Sequence, residues 1–328
     1  MSLETNLKGR LRNTILPKSH GLMPVFEAVV NSIHAIEETR NADSGKIVLN
    51  VNRAAQAGLD LNAKTPQPIV GFTISDNGCG FDETNFKSFE TLDSDHKFDK
   101  GCRGVGRLMW LKVFDLIEVE SHFLDIDGEL KKRTFCFDDK MGIHGEKLQA
   151  ATSQQPGTII KLVGFNETFR KLTPNRSHSI ANQLLEHVLW YFVRQGSAPN
   201  ILVEDAGEEF DLDNLLEEHM HAGAFLETIT IRDCIFDLTH IKFRASVNKK
   251  NHQLALCAAN RLVKEESIQG KLAGLYGKLS DASGEFTYTC YVSSDYLNEH
   301  VRSERTSFDI AEEVDDKRWL RFLRQSHK

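Results

Sequence analysis

The sequence lacks three features that would place it directly in a class. It has no apolar run of membrane-spanning length, and its first residues, MSLETNLKGRLRNTILPK, lack the apolar core of a signal peptide. None of its six cysteines forms a C-x-x-C pair, which argues against a zinc site or a disulfide framework. Its 40 Lys and Arg against 47 Asp and Glu exclude an overall nucleic-acid-binding charge, although not a local basic patch. We therefore expect a cytoplasmic protein that touches no membrane.

What is present is the composition of an ordinary globular protein. The 328 residues are 40% hydrophobic and 27% charged, which is enough for two domains with their own cores. Apolar residues at helical spacing predict an amphipathic helix over 22–39. Segments rich in β-branched residues predict strands at 46–53 and 68–76, and three further strands are predicted at 116–123, 130–138 and 158–165. This alternation predicts an α/β sandwich, a mixed and mostly antiparallel sheet with helices on one face.

The domain boundary is predicted after a helix over 180–195, so that the first domain spans residues 1–195. Residues 196–312 again mix strands with helices and predict a smaller α/β domain. Residues 313–328 predict a helical tail with exposed basic groups. The chain ends inside this tail, which leaves open whether a further region follows.

The first candidate motif is Glu27-x-x-x-Asn31, inside the helix predicted over 22–39. A spacing of four residues puts the carboxylate and the amide on one helix face, one turn apart. Asparagine has no advantage inside a helix, so its place among apolar residues needs a reason. One interpretation is a water-activating carboxylate beside a magnesium-binding amide oxygen. The other is a polar pair on a solvated face, which this motif taken alone favours.

The second motif is DNGCG (76–80), which follows the strand predicted over 68–76. A carboxylate at the end of a strand can accept a hydrogen bond from an exocyclic amine, such as N6 of adenine. The two glycines would let a ligand approach the backbone closely. Asp-Asn-Gly is equally typical of a β-turn, and the motif alone leaves the two interpretations open.

Two further motifs contain glycine. The segment KGCRGVGR (100–107) opens a helix predicted over 105–114, and the amide groups at a helix start form an anion site. It does not directly follow a strand, as a dinucleotide fingerprint requires, and it lacks the Gly-Lys-Ser/Thr ending of a P-loop. Gly157-Thr158 begins a predicted strand and by itself indicates only a turn that enters a strand.

The order of these four motifs resembles that of the GHKL ATPases, the superfamily of DNA gyrase, the large heat-shock chaperones, sensor histidine kinases and MutL. The resemblance covers residues 1–165 and implies a Bergerat-type two-layer α/β sandwich that binds ATP and Mg²⁺. It implies that Glu27 is the general base and that Asn31 is the magnesium ligand. The residues implied to contact the nucleotide are Asp76, Gly78, Gly80 and Thr158 around the adenine, and Lys100, Gly101, Arg103, Gly104, Val105, Gly106 and Arg107 in the ATP lid.

The second domain more distantly resembles the transducer domain of MutL-type proteins. Its segment CAANRLVKEE (257–266) is similar to the strand that reads N-G-R-x-V in those domains, although AAN at 258–260 departs from that pattern. In gyrase and MutL this domain supplies a cation to the γ-phosphate. The resemblance offers Lys264, Arg302 and Arg305 for this role, while an ordinary surface charge is the commoner role of each.

The resemblance implies slow ATP hydrolysis, in which ATP orders the lid and brings two copies together as a homodimer. Relatives with this layout act on DNA or in anti-phage defence, so nucleic acid or a separate effector protein is implied as a partner. The alternative is an ATP-sensing interaction module, which Glu27 disfavours because a sensor needs no base. A histidine kinase is disfavoured because the 26 residues before Glu27 contain no phosphoacceptor helix.

Overall fold

The computed structural model describes residues 7–39, 44–55, 66–91, 106–194, 198–220, 223–244, 251–258, 261–282, 284–301 and 308–310. The chain forms two compact units. The first ends at Leu215, and the second holds Leu189–Gln195 together with the residues from Leu216 onwards. No helix within the described ranges is both long and apolar enough to cross a membrane.

The first unit is built on an eight-stranded sheet. Its strands are β1 (Lys46–Arg53), β2 (Ile69–Asp76), β3 (Phe114–Leu124), β4 (Leu130–Asp138), β5 (Gly142–Ala150), β6 (Gly157–Phe165), β7 (Asn200–Asp205) and β8 (Glu208–Asp211). They lie in the order β5-β4-β3-β6-β2-β1-β7-β8. All neighbours pair antiparallel except β1 and β7, which are parallel. The predicted mixed, mostly antiparallel sheet is confirmed.

Helices cover this sheet and carry much of the candidate site. They are α1 (Leu7–Asn13), α2 (Met23–Glu38), α3 (Glu83–Glu90), α4 (Gly106–Val113), α5 (Glu167–Arg170), α6 (Ser177–Val193) and α7 (Leu212–His219), with a 3-10 turn at Lys18–His20. Helix α2 packs on β1, β2 and β6, and α4 packs on α2 and β3. The helix over 22–39 and the helix over 105–114 are therefore placed as predicted.

The two faces of α2 have different environments. Val25, Val29 and Ile33 are fully buried, as their spacing of four residues predicts for one stripe of a helix. Glu27 is half-buried and Asn31 is exposed. Packing of the apolar stripe on the sheet therefore fixes the position of α2, while Glu27 and Asn31 lie outside this packed surface.

The sheet buries only one of its faces. Along β6, Ile160 and Leu162 are buried, whereas Lys161 and Val163, which alternate with them, are exposed. Successive side chains of a strand point to opposite faces, so this alternation marks one covered face and one open face. Helices on one side of a single sheet make the two-layer α/β sandwich that was predicted.

The elements of the first unit that were not predicted from sequence include β5, β8, α1, α5 and the beginning of α7. The residues of β5, GIHGEKLQA, are mostly exposed and low in β-branched side chains, so they carry no strand pattern. A tight turn joins β3 to β4, and in it the Gly128 amide donates to the Asp125 carbonyl at 2.8 Å.

The second unit has its own sheet. Its strands are β9 (Phe225–Ile231), β10 (Cys234–Arg244), β11 (Gln253–Ala258), β12 (Arg261–Ser267), β13 (Leu279–Asp281) and β14 (Gly284–Ser293), followed by α8 (Asp295–His300). The order is β12-β11-β14-β10-β9, with β13 paired to β14. Its core is a cluster that includes Phe236, Leu238, Val292 and Leu297.

The division between the units differs from the boundary predicted at residue 195. Strand β7 pairs in parallel with β1, and β8 pairs with β7, so residues 200–211 extend the first sheet. Strands β7 and β8 follow the end of α6 in the sequence, and only the pairing of β7 with the distant strand β1 shows to which sheet they belong.

Candidate functional site

The centre of the candidate site is Asp76, the last residue of β2. Its carboxylate accepts a hydrogen bond from the Ser32 hydroxyl of α2 at Oδ2 (2.7 Å) and one from the Gly78 amide at Oδ1 (2.9 Å). Across the ladder, Asp76 pairs with Thr158 of β6. The sequence separated these groups by up to 126 positions (158 − 32), and the sheet brings them together.

The environment of Asp76 opposes its charge. Burial raises the pKa of the carboxyl from 3.8 to about 6, and hydrogen bonds from Ser32, Gly78 and the Thr158 backbone partly offset this. At neutral pH the group is therefore mainly ionised and acts only as a hydrogen-bond acceptor. A carboxylate that is incompletely compensated in the protein is suited to a ligand that brings a further donor.

Gly78 and Gly80 lie beside Asp76, and local packing accounts for both glycines. A Cβ on Gly78 would lie 2.7 Å from the Cβ of Ala35 on α2. Gly80 has φ +78°, and a Cβ there would lie 2.3 Å from the His122 carbonyl oxygen. Any larger residue would push the DNGCG turn away from α2 or from β3. These glycines therefore let the turn that carries Asp76 lie close to its neighbours.

Thr158 belongs to a small hydroxyl network behind Asp76. Its Oγ1 lies 3.1 Å from the Oγ of Ser121, its partner on β3, and both residues are buried. The Ser121 hydroxyl accepts from the Phe81 amide at 2.8 Å, just after the DNGCG turn. Thr158 was predicted to belong to the adenine end, and the structure places it next to Asp76.

Sequence reasoning missed Ser32 and Ser121. Ser32 directly follows Asn31 and is 2% exposed in the apolar stripe of α2, so a buried hydroxyl in a helix was the available signal. Ser121 occupies a buried position of β3 between two half-buried residues, and this alternation indicates burial but does not identify a partner.

The second part of the site surrounds Glu27. Gly106 begins α4, and a Cβ added to it would lie 3.7 Å from Glu27 Oε2. The Trp110 indole of α4 donates to the Pro24 carbonyl of α2 at 2.9 Å and so fixes the start of one helix against the other. Two predicted site residues, Glu27 and Gly106, are thereby brought together.

Helix α2 connects the two parts. Glu27 and Ser32 are five residues apart, which is about 7.5 Å along a helix axis. Ser32 holds the Asp76 carboxylate, and Glu27 faces the beginning of α4. One rigid, well-packed element therefore sets the separation of the Asp76 carboxylate from the Glu27 carboxylate.

Asn31 is exposed on α2, one turn after Glu27. Within the described ranges, no group of three or more His, Cys, Asp or Glu side chains could hold a metal ion. Magnesium is often bound by one or two protein oxygens together with substrate phosphates. A single accessible amide oxygen therefore fits a magnesium ion that arrives with a nucleotide.

Arg107 requires a correction. It was predicted to contact phosphate, but its side chain is 7% exposed and points to the end of α3. The guanidinium donates to the carbonyl oxygens of Ser88, at 3.0 Å, and of Phe89 and Thr91. Burial lowers its pKa to about 10. Arg107 satisfies carbonyls that the end of a helix leaves unpaired, and these contacts hold it away from a phosphate.

The remaining residues that were predicted to contact the nucleotide lie in the second unit or outside the described residues. Lys264 lies on β12 of the second unit, where its ammonium group pairs with Glu266 at 2.7 Å. Several predicted lid and transducer residues lie outside the described residues, namely Lys100, Gly101, Arg103, Gly104, Val105, Arg302 and Arg305. The part of the site that the structure defines is therefore its α2, β2, β6 and α4 side.

Comparison with known proteins gives structural similarity but no sequence match. No family model matches the sequence, and no curated protein matches it. Among solved structures, the chain is similar to the ATPase region of Saccharomyces cerevisiae topoisomerase II, with a TM-score of 0.47 and 12% sequence identity. The match covers 85% of this chain and 74% of the other.

Proposed function

We propose that this protein binds ATP with magnesium and hydrolyses it slowly, in the manner of a GHKL ATPase. The observation that carries the proposal is the arrangement of two carboxylates by α2. Ser32 of this helix holds Asp76, and Glu27 of the same helix faces the first residue of α4. We assign Asp76 to recognition of the base and Glu27 to activation of water.

At the first end, Asp76 accepts a hydrogen bond from the exocyclic amine of adenine. The ionised carboxylate has no proton to donate, and its Ser32 and Gly78 donors keep it oriented. Guanine presents a carbonyl oxygen at the equivalent position. This oxygen and the Asp76 carboxylate are both acceptors, so they cannot form a hydrogen bond with each other. The site should therefore select adenine over guanine.

At the second end, Glu27 accepts a proton from the attacking water. The water oxygen forms a bond to the γ-phosphorus, the bond to the β,γ-bridging oxygen breaks, and the products are ADP and inorganic phosphate. Asn31 offers the amide oxygen for magnesium, which when bound neutralises phosphate charge. Backbone amides at the start of α4, near Gly106, are placed to meet an anion.

Calorimetric titration with ATP and with GTP, each with magnesium, tests recognition. We expect ATP to bind and GTP to bind at least about 10-fold more weakly, since a lost hydrogen bond to a charged group costs about that factor. Asp76→Asn should weaken ATP binding by a similar factor. Equal affinities for ATP and GTP would contradict the assignment of Asp76 to adenine.

Steady-state hydrolysis tests the chemistry. Glu27→Ala should keep ATP binding and lose hydrolysis by about 100-fold or more, the usual contribution of a general base. Asn31→Ala should lose both binding and hydrolysis. Glu37→Ala, on the same helix, is the matched control and should retain both. Binding without any turnover in the wild type would support an ATP-sensing module instead.

We also propose that ATP brings two copies of the protein together. Most of the motif predicted as the lid, residues 100–105, lies outside the described residues, so this proposal rests on the resemblance of the motif series. Light scattering of Glu27→Ala with ATP, with ADP and without nucleotide tests it, and a dimer is expected with ATP alone. A monomer in all three states would remove the homodimer but leave ATP hydrolysis standing. A nucleic acid or a separate effector protein is the partner that such a nucleotide cycle would act on.

A further inference from the structure

Helix α6 places an imidazole against the proposed general base. His187 Nε2 lies 3.7 Å from Glu27 Oε1, and the two side chains are 23% and 14% exposed. This distance is longer than a hydrogen bond. Catalytic hydrogen bonds are often long in the free enzyme and shorten when substrate binds. The pair is therefore in reach of a direct contact after a small adjustment.

The imidazole is held in this place by its surroundings. Its ring packs against the ring of Phe26, with centroids 5.5 Å apart and the planes inclined by 38°. Phe26 is 6% exposed and directly precedes Glu27 on α2. The backbone of α6 is fixed by Leu184 and Val188, both fully buried on either side of His187. Packing thus sets the ring, and the ring faces one particular oxygen of Glu27.

The two oxygens of Glu27 have different neighbours. Oε1 faces His187, whereas Oε2 is the oxygen nearest to Gly106 at the start of α4. A donor on the first oxygen limits rotation of the carboxylate and leaves the second directed toward α4. In the proposed reaction, that is the side on which phosphate and attacking water lie.

We propose that His187 is a positioning residue that orients the Glu27 carboxylate for attack by water. This inference rests on the proposed ATPase function, because it assigns a partner to the base of that reaction. Its contact is with the base, not with Asp76 or Asn31. Loss of His187 should therefore slow turnover without changing how well ATP is held.

The test compares two substitutions of this histidine. His187→Leu removes the donor at similar size, and kcat for ATP should fall about 10- to 100-fold, the range for a hydrogen bond to a charged group. The KM for ATP should stay within about 2-fold, because no nucleotide contact is lost. His187→Gln keeps a donor near the position of Nε2 and should restore most of kcat. His178→Leu, an exposed histidine of the same helix, is the matched control and should leave both parameters unchanged.

A double variant separates positioning from a merely structural role. If His187 acts through Glu27, adding His187→Leu to Glu27→Ala should not lower the residual rate further. A structural role would instead slow both backgrounds alike, and would slow His187→Gln as much as His187→Leu. Either result would overturn the inference. Thermal unfolding shows whether each variant is folded. If His187→Leu does not fold, the kcat of His187→Gln alone and in the Glu27→Ala background decides between the two roles.

Failure of the proposed function gives a different pattern. If the wild type does not hydrolyse ATP, or if Glu27→Ala turns over normally, the ATPase mechanism and the role of His187 are both wrong. If Glu27→Ala is inactive while His187→Leu keeps the wild-type kcat, the ATPase stands and only the role of His187 is refuted.

Discussion

The raised pKa of Asp76 predicts that its charge destabilises the free protein. The pKa is about 6 in the folded chain, against 3.8 as the ordinary value. Between these values the folded state binds a proton that the unfolded chain has released, so stability falls as the pH rises through this window. At about 1.4 kcal/mol per pKa unit, the ionised carboxylate costs the fold up to about 3 kcal/mol above pH 7.

Asp76→Asn removes this charge at nearly constant size. The amide oxygen can still accept from the Gly78 amide, and the Ser32 hydroxyl can turn to accept from the new amine. The loss of charge-assisted bonds offsets about 1 kcal/mol of the gain. We therefore expect Asp76→Asn to be about 1–2 kcal/mol more stable than the wild type at pH 8, or roughly 2–8 °C in Tm. The gain should disappear as the pH falls toward 3.8.

Urea denaturation of the free protein between pH 4.5 and pH 8 measures this difference. The control is Asp205→Asn, which removes a carboxylate that accepts from Arg53 Nε at 2.7 Å in a buried ion pair. That variant should be less stable at pH 8, because it leaves a buried guanidinium without its partner. A loss of stability in Asp76→Asn at pH 8, or a gain of the same size at pH 4.5, would refute the reasoning.

Two further predictions concern packing around the site. In chemical denaturation, Gly80→Ala should destabilise the protein by at least about 3 kcal/mol more than Gly128→Ala does. The two glycines have similar backbone angles (φ +78° and +77°), but only a Cβ at position 80 meets a carbonyl oxygen. Equal costs would show that the φ angle alone matters. Arg107→Lys should destabilise by about 2–3 kcal/mol in the same assay, since an ammonium group cannot reach the three carbonyls at the end of α3. The exposed Arg12→Lys is its control, and a similar small effect in both would mean that the α3 contacts contribute little.

The elements with a strong local pattern could be predicted from the sequence. The runs at 46–53 and 130–138 coincide with β1 and β4, because a local alternation of apolar and polar residues indicates both the strand and its buried face. Helix α2 was predicted within a residue of its ends for the same reason. Strand β5 has no such pattern, and it is held mainly by pairing with β4. Pairing of this kind depends on the neighbour, so the sequence of β5 alone does not reveal it.

The candidate site could be predicted only in part, because its residues contact partners that are far away in the sequence. Asp76 and Thr158 were found through their motifs, but their pairing across β2 and β6 needed the sheet. Ser32 was missed because nothing local shows that a buried hydroxyl faces a carboxylate from another element. Arg107 was misassigned because a glycine-rich helix start predicts an anion, whereas its side chain turns back to α3.

Helix α2 explains how the incompletely compensated Asp76 carboxylate can persist in this fold. Val25, Val29 and Ile33 anchor the helix to the sheet, and Trp110 ties it to α4, so its position does not depend on Asp76. The site can then retain a carboxylate that lowers stability, because burial of the apolar residues of α2 stabilises the fold and offsets the cost of the Asp76 charge. The buried residues that anchor α2 thus lie on a different face from Glu27 and Asn31, the residues of this helix that we propose for the chemistry, whereas Ser32, which holds Asp76, is itself buried. A substitution on the buried face should therefore weaken folding and nucleotide binding together, whereas Asp76→Asn should separate them, with a more stable protein that binds ATP less well.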